Sequence, residues 1–138
     1  MEQRKPEPWM SAVLWLAAVY NIGYGCFVVA CPLAPFRWAG MEPPTYPQLF
    51  QCIGMIVGVY GVGYAIAARD PLRHWPIVLV GLLGKVFGPV GFVDAAWRGE
   101  LPWVAGWMNV TNDLIWWVPF ALILHRAWRA SGSGYSAC

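Results

Sequence analysis

WPIVLVGLLGKVFGPVGFVDAAW (residues 75–97), followed after RGELP by WVAGWMNVTNDLIWWVPFALIL (residues 103–124), is the part of the chain that decides the fold. Each run is about 20 residues of nearly unbroken apolar sequence. At ~1.5 Å of rise per residue, a helix of that length crosses the ~30 Å hydrocarbon layer of a bilayer. The short break between the runs, residues 98–102, forces a hairpin. Two further runs of the same kind lie upstream, at about Ser11–Cys31 and Gln48–Ala68. The chain therefore reads as all-α: one integral membrane domain over residues 1–138, a four-transmembrane-helix bundle with no separate soluble domain.

Composition agrees with this reading. The chain is 59% hydrophobic and 12% charged, against about 25% charged in a soluble domain. A soluble protein this apolar would lack polar residues to coat its surface, whereas lipid removes that need. The net charge of +2, with no Lys/Arg run, gives no reason to expect nucleic acid as a partner. The expected surroundings are the lipid bilayer itself, with a homodimer or a larger membrane complex open. The first run follows Arg4 and Lys5, as a signal peptide would. It is longer than the 7–15 residues of a signal core, and Asn21 and two tyrosines interrupt it, so it reads as a span.

Four spans place the N-terminus, residues 69–74 and the C-terminus on one side. That side carries Arg4, Lys5, Arg69, Arg73, Arg126 and Arg129, while the other carries Arg37 and Arg98. The positive-inside rule then puts both termini in the cytoplasm and residues 32–47 outside. Prolines 32, 35, 43, 44 and 47 stiffen that outer loop, and Phe36, Trp38 and Tyr46 are expected to press it onto the membrane surface. Trp9, Trp38, Trp75, Trp97, Trp103, Trp107 and Trp128 fall at or near span ends, as an aromatic belt does. Trp15, Trp116 and Trp117 lie deeper.

Glycines 54, 58 and 61 in the second span and 81, 84, 88 and 91 in the third recur at spacings that let backbones approach closely. They predict that these two spans pack through their glycine strips. The strips could instead make room for a ligand or meet a second copy of the chain. Pro89 and Pro119 are expected to kink their helices.

The polar residues inside the spans carry the functional signal. Lys85 stands ten residues into the third span and Asp113 ten into the fourth, so antiparallel neighbours bring both to about 15 Å depth. An ion at that depth costs about 2.5–3.5 kcal/mol on insertion scales, so opposite charges at matched depth are expected to face each other. Asn21, twelve residues past Trp9, reaches a similar level. Asn109, Asn112, Asp113, Trp116 and Phe120 recur at helical spacing and predict one inward face, with Trp117 at its border. The ligand or ion-pathway candidates are therefore Lys85, Asp113, Asn109, Asn112, Trp116 and Asn21. The stripe predicts a small cavity lined by Asn109, Asn112, Asp113, Trp116 and Lys85, unless Tyr20 and Tyr24 fill the space. Asp94 reads as an interfacial residue.

Catalytic signatures are sparse. Cys26, Cys31, Cys52 and Cys138 form no CxxC pair, although Cys31 and Cys52 are placed so that a disulfide is conceivable. His74 and His125 sit at the span edges and make no metal or haem site. No phosphate-binding glycine loop occurs outside the spans. No cofactor and no metal are expected.

PQLFQCIGM (residues 47–55), RHWP (73–76) with GLLGK (81–85), and TNDLIWW (111–117) resemble a poorly characterised family of small bacterial four-helix membrane proteins, some of them labelled alkyl hydroperoxide reductase in genomes. The resemblance covers most of residues 20–125. It implies the four-helix fold and a bacterial cytoplasmic membrane, and it carries over no catalytic residue. Three functions remain open: a non-catalytic protein that binds an amphipathic ligand or serves in a membrane assembly, a small transporter or proton pathway using Lys85 and Asp113, and a membrane enzyme acting on a lipid, quinone or isoprenoid.

Overall fold

The computed structural model describes residues 6–132, so Arg4, Lys5 and Cys138 lie outside the described residues. Every regular element in that stretch is helical. Three helices are long and apolar enough to cross a membrane: α1 (Pro8–Ala30), α3 (Pro47–Ala67) and α4 (Trp75–Trp97). Each begins with a proline in its first turn, at Pro8, Pro47 and Pro76, where the missing N–H is no loss. A short helix, α2 (Ala34–Trp38), lies in the loop between α1 and α3. Gly40 and Gly99 close α2 and α4 in the left-handed region, at φ 66° and 74°. In both, the N–H groups of the glycine and of the next residue fold back onto the last helical carbonyls: Gly40 to Arg37 and Met41 to Phe36, Gly99 to Ala96 and Glu100 to Ala95.

The fourth apolar run is not one α-helix. A 3₁₀ turn (Trp103–Gly106) leads into a single turn, α5 (Trp107–Asn109), then a π turn (Val110–Leu114), and only then α6 (Ile115–Gly132). Within the π turn the Ile115 N–H reaches Val110 O instead of the Thr111 carbonyl that an α-helix would use. Pro119, near the start of α6, adds a second irregularity just downstream.

Exposure is inverted relative to a soluble protein. Val59 and Val118 are 69% exposed and Phe87 66%, whereas Asn21, Lys85 and Asp113 are 2%, 3% and 7% exposed. An apolar exterior around polar residues suits a hydrocarbon surrounding. The packed core fills the half of the bundle near the start of α1: Met10, Leu14, Ala17, Tyr64, Ala67, Val78, Phe120 and Ile123 meet there. At that end Arg126 of α6 pairs with Glu7, which also accepts the Trp9 indole N–H at 2.8 Å. The start of α1 and the latter part of α6 therefore share one end of the molecule.

Helix pairing differs from the sequence expectation. The Gly54, Gly58 and Gly61 strip of α3 packs on α1, not on α4. A Cβ at Gly25 would sit 2.5 Å from Gly54 O and 2.9 Å from Gly58 N, and one at Gly61 would meet Ala18 O at 2.9 Å. Gln51 Nε2 crosses the same seam to Val29 O at 2.8 Å. At the far end Phe27 stacks on Trp38, and Phe36 meets Phe50 edge-on, so the loop between α1 and α3 packs on the helix ends. Cys31 and Cys52 are free thiols, as is Cys26.

Candidate functional site

The strip on α4 serves another purpose. A Cβ at Gly81 would clash with the Tyr64 ring at 2.5 Å. At Gly84 it would rest 3.7 Å from the Tyr60 hydroxyl, and at Gly88 3.4 Å from Asp113 Oδ2. The missing side chains thus leave room for two tyrosines of α3 and for the carboxylate of the π turn. What remains between α3 and α4 is a cavity of about 360 Å³. Ile53, Ile56, Val57 and Tyr60 form its α3 wall, and Lys85, Asn112, Asp113 and Asn21 supply its polar groups. Ile53 and Ile56 are themselves exposed at its rim, so the cavity opens sideways between the helices.

Two backbone irregularities hold the polar groups. Pro89 has no N–H for the carbonyl four residues before it, which is that of Lys85. The Trp117 indole supplies the missing donor, at 2.9 Å, and ties α6 to the middle of α4. The π turn likewise deprives Thr111 O of its helical partner, and the Trp116 indole N–H donates to it at 3.3 Å. Lys85 Nζ donates to the Asn112 carbonyl in the same turn. Two of the three tryptophans that the belt does not explain, Trp116 and Trp117, therefore cap carbonyls released by a π turn and a proline.

Lys85 and Asp113 face each other as their depths predict, with Nζ 3.9 Å from Oδ1. This is an ion pair without a direct hydrogen bond, since such bonds end near ~3.2 Å. Asp113 Oδ1 instead accepts from Asn112 Nδ2 at 2.8 Å. The ammonium lies 5.8 Å from the Tyr64 ring centre and 5.9 Å from that of Trp116, within cation–π range. Asn21 donates to Val57 O at 3.4 Å. The amide oxygens of Asn21 and Asn112 are buried and accept no hydrogen bond.

Of the residues singled out in the sequence, Lys85, Asp113, Asn112 and Asn21 line this cavity, and two do not. Trp116 lies behind the pair, packed on Tyr20 and Phe120 with centroids 6.0 and 6.2 Å away. Tyr20 thus fills the space on that side, while Tyr24 turns away to Met108. Asn109 lines a separate cavity of about 190 Å³ beneath α2, with Phe36, Phe50 and Phe92. The angular step per residue falls through the π turn, so a face read at a constant α-helical step does not survive it. Asp94 is an exposed residue paired with Arg98 at 2.9 Å.

Sequence reading missed Tyr60 and Tyr64, although the signal was present. Residues 53, 56, 57, 60 and 64 of α3 and 81, 84, 85 and 88 of α4 each recur at helical spacing, and together they form the two walls. Among the described residues no three His, Cys, Asp or Glu side chains come together as a metal site would require. Comparison of the chain with family models, with curated proteins and with solved structures finds no match.

Proposed function

We propose that the protein is a four-span protein of the bacterial cytoplasmic membrane that holds a small amphipathic molecule between α3 and α4 without transforming it. The observation that carries this reading is the lateral cavity: apolar walls with a few convergent polar groups are the usual form of a small-molecule site. A fixed ion pair alone requires one or two hydrogen-bonding neighbours and no empty volume. The segment from Trp103 to Gly132 serves as the fourth crossing, with its π turn tolerated because Lys85 and the Trp116 indole donate to carbonyls within it. The Glu7–Arg126 pair supports both termini lying on one side, and the basic residues support that side being the cytoplasm. Reporter fusions after Ala130 and within residues 32–47 should report opposite sides, and the same side for both would refute the four-span topology.

The binding reading is tested by filling the cavity. Gly84→Leu should place a side chain in the void while leaving Lys85 and Asp113 in place. Native mass spectrometry of the gently extracted protein should then show a bound small molecule on the wild type and none on the variant. Identical spectra would refute the reading. A transport reading draws support from the unbonded 3.9 Å approach of Lys85 and Asp113. Against it stands the core beneath the pair, where the apolar side chains of Phe120, Met10 and Leu14 are fully buried.

A further inference from the structure

We infer that the bound molecule is a neutral lipid-like compound with a hydroxyl head, its head between Asp113 and Lys85 and its chain along the crevice of α3 and α4. This rests on the binding reading above and specifies its ligand.

Asn112 must turn its NH2 towards the Asp113 carboxylate, and Asn21 must turn its NH2 towards the Val57 carbonyl, because only a donor can face those acceptors. Each amide therefore leaves its oxygen over, and both oxygens are buried without a donor. Asp113 Oδ2 makes none of the Asp113 hydrogen bonds and faces the open side of Gly88. Both amide oxygens are closed off by protein, so the acceptor left to the cavity is Asp113 Oδ2. An acceptor without a donor in an apolar wall is costly, so an occupant that donates to Asp113 Oδ2 is favoured. Lys85 shares the wall and donates one hydrogen bond, to Asn112 O, leaving N–H groups from which a ligand oxygen could accept.

A hydroxyl both donates and accepts, so it meets both demands. An ammonium head accepts nothing and would add a second cation beside Lys85. A carboxylate head would be repelled by Asp113. Ketone and ether heads donate nothing. Lys85 and Asp113 are formally balanced, so any charged head would stand uncompensated in an apolar wall.

A place for the chain adjoins the head site. A second groove of about 350 Å³ runs from the cavity towards the α3–α4 turn, lined by Val59, Gly63, Pro76, Ile77 and Val80. Tyr60 borders both spaces. A head in the cavity and a hydrocarbon chain in the groove would use the two as one site, open to lipid along its length.

The test uses the full chain in nanodiscs and two probes of equal length, hexadecanol and hexadecyl methyl ether, with binding read by native mass spectrometry. Hexadecanol should bind, and the ether should bind about tenfold more weakly or worse, since a site built to bond a hydroxyl rejects the analogue lacking it. Gly84→Leu should abolish both. Equal binding of the two probes, lost in Gly84→Leu, would overturn the hydroxyl assignment and leave the amphiphile reading standing. No binding of either, or binding indifferent to Gly84→Leu, would overturn both.

Discussion

The glycine strips of α3 and α4 have similar spacing and opposite outcomes. On α3, Gly54 and Gly61 meet Val28, Gly25, Ala18 and Ile22 of α1 so closely that neither could carry a side chain, and the Gly58 backbone lies against Gly25. On α4, Gly81, Gly84 and Gly88 meet tyrosine rings and a carboxylate, groups too large to let the backbones close. The result is a seam in one case and a cavity in the other. A small-xxx-small pattern specifies that something comes near; the size of what comes near decides whether contact or space results.

The ion pair offers the largest perturbation of the open side. Lys85→Met should strand a buried carboxylate and lower stability by ~3–5 kcal/mol. Combining it with Asp113→Leu should recover much of that loss, as read by unfolding in detergent. A double variant as unstable as the sum of the single ones would mean that the two residues do not interact.

Next in size is the closed seam. Gly25→Ala drives a methyl into the Gly54 carbonyl and should cost ~1–3 kcal/mol. A neutral result would show that α1 and α3 can separate freely, and the contrast between the strips would fall.

Trp117→Phe, which removes the donor to the Lys85 carbonyl, should cost about 1 kcal/mol. The same change made on a Pro89→Ala background should cost less, because the restored N–H can satisfy that carbonyl. Equal costs on both backgrounds would separate the indole from the proline.

The smallest effect belongs to the open strip. Gly84→Ala meets only ordinary contact at 3.7 Å and should be neutral or stabilise by ~0.5–1 kcal/mol, through the backbone entropy that glycine loses. A loss as large as that of Gly25→Ala would mean that the cavity closes in the membrane.

What the sequence determined by itself follows from quantities that run along one dimension. Apolar run length set three of the helices, and counting residues from the tryptophan-marked ends put Lys85 and Asp113 at one depth. The spacing from Pro89 back to Lys85 even names the carbonyl that lacks a partner. Which way each helix faces was decided by the tertiary structure. Around a membrane helix the lipid side and the protein side are both apolar, so little amphipathic signal marks the inner face. For that reason the assignment of the α3 strip to α1, the position of Tyr20 behind Trp116 and the cavity between α3 and α4 emerge only once the helices are packed. The departure of Asn109 from the polar stripe has a local cause of the same kind. A π turn changes the angular step by which faces are read, and it persists because packed neighbours, Lys85 and the Trp116 indole among them, occupy the carbonyls around it.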